Sequence, residues 1–138
     1  MELLPGWAIS ASGLAAEQLR LDLIASNLAN IHTTRASGGG PYRRRVVLFA
    51  EEVAARVGGF RGSGVRVAGI LEENAPPQLV YDPHHPDADE RGFVAFPAIN
   101  VVNEMVDLLT ASRAYEANVT VLNAAKTMAL KALEIGRV

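Results

Sequence analysis

Between Ile99 and Ile135 the sequence carries a hydrophobic repeat of seven that stays in register for about five heptads. Val101, Met105, Leu108, Ser112, Tyr115, Val119, Leu122, Lys126, Ala129 and Leu133 alternate in steps of four and three. No Pro or Gly interrupts the run before Gly136. That spacing keeps one seam of a helix facing a partner helix along its whole length. At 1.5 Å per residue the helix is about 55 Å long, more than a small globule can cover. Such a helix needs another long helix beside it, and a second subunit beyond that.

Two further stripes strengthen the inference. Val102, Val106 and Leu109 form one, and Val121, Ala125, Met128, Ala132 and Ile135 form another on a different side. An ordinary surface helix has a single apolar stripe, so one that is apolar on several sides is covered on several sides. The amino-terminal segment reads the same way. Trp7, Leu14, Leu21 and Leu28 recur every seven residues, with Ile24 and Ile31 three positions after the last two. This predicts a helix over about Trp7 to Ile31, with Ala16, Leu19 and Leu23 as a second strip. Ser112 and Lys126 are polar seam positions; polar seam residues can set register at some expense in stability. Arg113 stands within reach of Glu116 or Glu104 for a surface ion pair.

Between the helical ends the chain changes character. Tyr42 to Phe49 reads as β, Glu51 to Val57 as a short helix or turn, and Gly58 to Gly64 as a loop. Val65, Val67 and Ile70 sketch a strand, Pro76-Pro77 breaks it, Leu79-Val80-Tyr81 follows, and Phe93 to Phe96 is a last strand. The predicted class is therefore α+β, mainly α, with long terminal helices paired as a coiled-coil-like bundle around a small β-rich insert. The expected divisions are 1–35, 36–97 and 98–138. The expected helix-interface residues are Leu14, Leu21, Ile24, Leu28 and Ile31 against Val101, Met105, Leu108, Tyr115, Val119 and Leu122.

The 13 basic residues against 15 acidic ones give a net charge of −2, which offers no electrostatic grip on nucleic acid. The sequence has no Cys, which removes disulfides, thiolate metal sites and thiol catalysis together. No stretch approaches the roughly 18 apolar residues of a membrane span. The acidic, Pro-Gly-broken start Met1-Glu2-Leu3-Leu4-Pro5-Gly6 lacks the pattern of a cleaved signal.

Several stretches, taken in order, carry a family resemblance. Ser12-Gly13-Leu14 through Arg20-Leu21 to Ile24-Ala25-Ser26-Asn27-Leu28-Ala29-Asn30 is similar to the amino-terminal signature of bacterial flagellar axial proteins, the rod and hook subunits. Gly39-Gly40-Pro41-Tyr42-Arg43-Arg44, the loop from Tyr81 to Glu90, and the helix segments Asn100 to Leu108 and Ala111 to Val119 resemble the short proximal-rod branch of that family. The resemblance implies a non-enzymatic structural subunit without cofactors. Such a subunit polymerises through its terminal helices into the shaft that carries torque from the membrane ring to the hook. It implies other rod proteins, the rod-to-ring adaptor and the flagellar type III export apparatus as partners. The implied location is the basal-body rod in the periplasmic space, reached without a cleaved signal. The terminal helices are expected to fold fully only when neighbours arrive.

Two alternatives stand beside this reading. One is another axial subunit of the same machine. The other is a small metal-binding helical module that uses Asp82, His84, His85, Asp87, Asp89 and Glu90. Their spacing matches neither a zincin helix nor an EF-hand loop, and Asp side chains in such a Pro-rich turn commonly bond nearby backbone amides. The glycines from Gly58 to Gly64 lack the ending and spacing of a phosphate loop. Arg43-Arg44-Arg45 reads as a solvated face or a contact with an acidic neighbour.

Overall fold

The computed structural model describes residues 4–53 and 62–137. Six elements follow in order: α1 (Leu4–Ala29), β1 (Arg45–Val53), β2 (Gly62–Glu72), β3 (Gln78–Tyr81), β4 (Phe93–Phe96) and α2 (Val101–Ile135). The class is α+β, with two long terminal helices and a small antiparallel insert, as the repeats predict. Among the described residues no helix is long and apolar enough to cross a membrane.

α2 begins where it does because Asn100 is extended (φ −98°, ψ 114°) and its side-chain oxygen accepts from the Val102 and Asn103 amides. That satisfies two of the amides a helix start leaves without partners. At the far end Gly136 donates back to the Ala132 carbonyl at 3.1 Å. α1 starts earlier and stops earlier than its repeat predicts. The stop at Ala29 comes from Asn30, whose side chain donates to the Ser26 carbonyl (2.8 Å) and accepts from Thr33 Oγ1 (3.0 Å). Ile31 is thereby drawn into a turn. Gly39 and Gly40, at φ +79° and +77°, then reverse the chain through a conformation that other residues resist.

The helices run antiparallel. Asn27 meets Glu104, and a Cβ on Gly13 would stand 3.1 Å from the Asn118 amide. This register puts the start of α1 level with about residue 127, so the last two turns of α2 extend past it.

β1 and β2 form a two-stranded antiparallel ribbon, from Arg45 opposite Glu72 to Val53 opposite Gly62, with irregularities at Leu48/Phe49 and Glu51/Val53. The ribbon packs on α1. The helix or turn expected at Glu51 to Val57 is replaced, as far as Val53, by strand, because Glu51 and Val53 pair across to Val65 and Gly62. The remainder of that expectation, and the glycine loop up to Arg61, lie outside the described residues. β3 and β4 pair from Gln78–Phe96 to Tyr81–Phe93. The Tyr81 and Phe93 rings meet edge to face at 5.4 Å. Gly92, at φ +81°, is required there, since a Cβ would lie 2.9 Å from the Tyr81 ring.

The core is slender. Its buried apolar side chains include Ala16, Ile24, Tyr42, Val94, Ile99 and Ala111, while the largest fully buried side chains are Glu104, Val94 and Asn27. Two of those three are polar, so the centre of the molecule is organised by hydrogen bonds as much as by oil. The accessible surface is 9906 Å² for a chain of 14.7 kDa, against about 6,900 Å² for a compact monomer of that mass. The excess is surface that a lone subunit does not cover.

Candidate assembly interface and its polar junction

Where the end of α1, the start of α2 and the base of the ribbon meet, one carboxamide is fully engaged. Asn27 Oδ1 accepts from the Arg45 amide (2.9 Å) and the Tyr42 hydroxyl (3.1 Å). Its Nδ2 donates to the Arg45 carbonyl (2.9 Å) and to Glu104 Oε2 (3.2 Å). Two donors and two acceptor sites are all a carboxamide has, and every one is used. Asn27 and Glu104 are each 1% exposed.

Glu104 sits in the first turn of α2, where a negative charge complements the helix dipole. Its other oxygen accepts from Arg44 Nε. Arg44 also reaches Asp107 at 3.1 Å and Glu73 at 3.4 Å, and Arg20 approaches Asp107 at 3.9 Å. Burial works against the Arg44 charge, but the hydrogen bond and charge of Glu104, with Glu73 and Asp107, raise its pKa above the ordinary value. A buried carboxylate is tolerated only when so paired, because stripping its water costs several kcal/mol, on the order of the attraction gained. Of the arginine run, Arg44 and Arg45 find their acidic partners within this chain, and Arg43 is exposed. Arg45 pairs with Glu72 at 2.9 Å, and Glu104, expected as a surface partner of Arg113, is taken by Arg44 instead.

The junction also fixes how α2 is rotated. With Glu104 turned inward, the inward face continues through Leu108, Ala111, Tyr115, Asn118 and Leu122, all buried or half-buried. These positions keep the heptad steps but run through residue 104 rather than residues 101 and 105. Of the predicted interface residues, Ile24 is buried, and Leu14, Leu21, Leu28, Ile31, Leu108, Tyr115, Val119 and Leu122 are half-buried. Val101 and Met105 are 40% and 53% exposed and stand outside the inward face of the single chain.

The outer face of α2 is apolar without cover. Val102 and Leu109 are 68% and 61% exposed and Val106 lies between them, while Met128, Leu130, Leu133 and Ile135 form a second exposed apolar group around the last turns of α2, where it extends past α1. Soluble monomers rarely leave clustered large apolar side chains in water; such patches mark contact surfaces.

The acidic loop is braced rather than open. Asp82 Oδ1 accepts from the His84 amide, and Asp89 Oδ1 accepts from the Arg91 and Phe93 amides at 2.8 and 2.9 Å. Asp87 is tied to the turn that follows α1 through Arg35 and through the Thr34 hydroxyl at 2.7 Å. That hydroxyl lowers the Asp87 carboxyl below its ordinary range, with the Arg35 charge acting in the same direction. His32 and His85 meet the Phe96 ring edge to face at 6.2 and 6.0 Å. Among the described residues no three carboxylate or imidazole groups converge as a metal site.

Comparison with known proteins adds to this geometry. Residues 8–36 match the family described as "Flagella basal body rod protein", and residues 90–135 match "Flagellar basal body rod FlgEFG protein C-terminal". The flagellar basal-body rod protein FlgC of Salmonella typhimurium is 44% identical over 99% of this chain and 100% of its own length. The chain belongs to the FlgC family of flagellar rod proteins. FlgC of Borreliella burgdorferi is 45% identical over 92% of the chain and 93% of that protein, and FlgC of Bacillus subtilis 44% over 94% and 95%. The two matched segments of this FlgC-family chain are α1 with its exit turn, and the end of the acidic loop through β4 and α2. They are the segments joined by the polar junction, which Asn27 supplies from one side and Glu104 from the other.

Proposed function

We propose that the chain is a structural, non-enzymatic subunit of the flagellar basal-body rod, in its proximal part. It polymerises through its terminal helices into the shaft that transmits torque from the membrane ring to the hook. The observation that carries this reading is the bare apolar surface of α2, a stripe from Val102 to Leu109 and a second group around its end from Met128 to Ile135. It is joined to near-full-length likeness to FlgC proteins. Residues 1–35 and 98–138 then form the axial core, and residues 36–97 the part carried on it.

In this reading Leu14, Leu21, Ile24, Leu28 and Ile31 pack toward Leu108, Tyr115, Val119 and Leu122, while Val101 and Met105 serve contacts with neighbours. Each apolar side chain of this size that a neighbour covers contributes roughly 1.5–3 kcal/mol. Heterologous contacts that do not close build helical filaments, which is the form a rod needs. The partners are other rod subunits, the adaptor that seats the rod in the membrane ring, and the type III export apparatus. That apparatus delivers the chain to the periplasmic rod.

Replacing Val102 and Leu109 with Asp tests the reading in a flagellated bacterium whose own FlgC is deleted. The unaltered chain restores hook–basal bodies and the double variant does not, although it is exported in equal amount. Normal rods from the double variant overturn the assignment of this face.

A further inference from the structure

The ribbon is fastened along α1 at two separate places. Near the end of α1, Asn27 exchanges hydrogen bonds with both backbone groups of Arg45, the first residue of β1, as a neighbouring strand would. Near the start of α1, Ser12 Oγ accepts from the Val65 amide in β2 at 3.0 Å and donates to the Ile9 carbonyl at 2.7 Å. Val65 pairs with Glu51, far along β1 from Arg45, so the two contacts grip opposite ends of the ribbon. On α1 they are about 22 Å apart.

The Ser12 contact demands a particular residue opposite it. A Cβ on Gly64 would lie 2.5 Å from Ser12 Oγ, and Gly64 stands at φ +126°, so glycine is needed for both space and conformation. Between the two grips Ala16 is buried, and Leu23 lines a groove of about 310 Å³ together with Val46, Val47 and Phe49. A two-stranded ribbon is marginal by itself, so its place is decided by what holds it.

We propose that Asn27 and Ser12 are positioning residues that lock the β1–β2 ribbon lengthwise along α1, covering a second side of α1 and leaving the outer face of α2 to receive neighbouring subunits. The last clause rests on the reading of the chain as a rod subunit. The distribution of apolar surface fits this division. Ile9 is the exposed large apolar side chain on the described part of α1, whereas on α2 such residues run from Val101 to Ile135. The second strip of α1, expected from sequence to wait for another subunit, is served by the chain's own ribbon.

The test reads the two gripped amides by hydrogen exchange in the isolated full chain. In Ser12→Ala, Val65 exchanges about tenfold faster, as loss of one ordinary hydrogen bond implies, while Arg45 is unchanged. In Asn27→Ala, Arg45 is released; should that variant fail to fold, Ser12→Ala still decides the question. Unchanged exchange at Val65 overturns the lock. Ser12→Thr keeps the hydroxyl and is the rescue: Val65 exchange stays at the parent rate, and faster exchange there overturns the role given to the hydroxyl.

In cells lacking their own FlgC, Ser12→Ala is expected to yield fewer completed hook–basal bodies than the parent chain or Ser12→Thr. Faster Val65 exchange with undiminished rods overturns the role in assembly. Failure of the unaltered chain to enter rods would sink the rod reading but leave the exchange result intact, so the two failures are distinguishable.

Discussion

Asn27 in α1 and Glu104 in α2 lie 77 positions apart in sequence and 3.2 Å apart through Nδ2 and Oε2. Both are buried, and Arg44 closes the group from the third side. One hydrogen-bonded cluster thus joins both helices and the segment leading into the ribbon. A polar cluster fits only one alignment, whereas an apolar seam can slip by a turn at small cost.

Glu104→Ala leaves the Arg44 cation and the Asn27 amide without their partner. Breaking a buried pair from one side costs about 3–5 kcal/mol, and the partial exposure of Arg44 puts the expected loss at the low end. Urea titration of the isolated chain measures it. Replacing Glu104 and Arg44 together by Met is expected to cost less than Glu104→Ala alone, since neither charge is then stranded.

Tyr42→Phe removes a single hydroxyl that donates to Asn27 Oδ1 at 3.1 Å. Its contact with Ser26 Oγ at 3.3 Å is lost with it, and the expected cost is about 1–1.5 kcal/mol. A change within error in the same titration contradicts the proposed tightness of the junction.

Asn100→Ala strips the cap from α2, exposing the Val102 and Asn103 amides. About 1 kcal/mol of stability is expected to go with it. The exchange of those two amides should rise while that of residues near Tyr115 stays the same.

The carboxyl of Asp87 gives a pH signature. Its pKa in the folded chain is below the ordinary value because Thr34 donates to it and Arg35 stands beside it. Its contribution to stability is therefore present above the unfolded pKa of about 3.9 and is lost as pH falls through the lower folded value. Asp87→Asn should be less stable than the parent at neutral pH, with the gap narrowing at acid pH. A gap that does not change with pH removes the charged contact from the account.

Much of the fold is legible in the sequence because its signals are local. The heptads of α2, the Pro76-Pro77 break and the short β run Phe93–Phe96 each declare themselves within a few residues. The junction does not. Glu104 in a first helical turn reads as a surface residue favoured by the helix dipole, and only Arg44, sixty positions earlier, makes its burial possible. The same non-local fact rotates α2, which is why Val101 and Met105 leave the inward face although the seven-residue step is right. The ribbon's cover of α1 was equally hidden, since it depends on the Ser12 hydroxyl meeting a strand amide 53 positions later. An acid four positions after a capping Asn, with an Arg run following the first helix, is the available signal for the junction.

The most direct measurement is to express the chain in a flagellated bacterium that lacks its own FlgC, and to purify hook–basal bodies. The chain is expected in the rod fraction and swimming is expected to return, with both lost when Val102 and Leu109 become Asp. A chain that is exported yet absent from purified basal bodies would contradict the account.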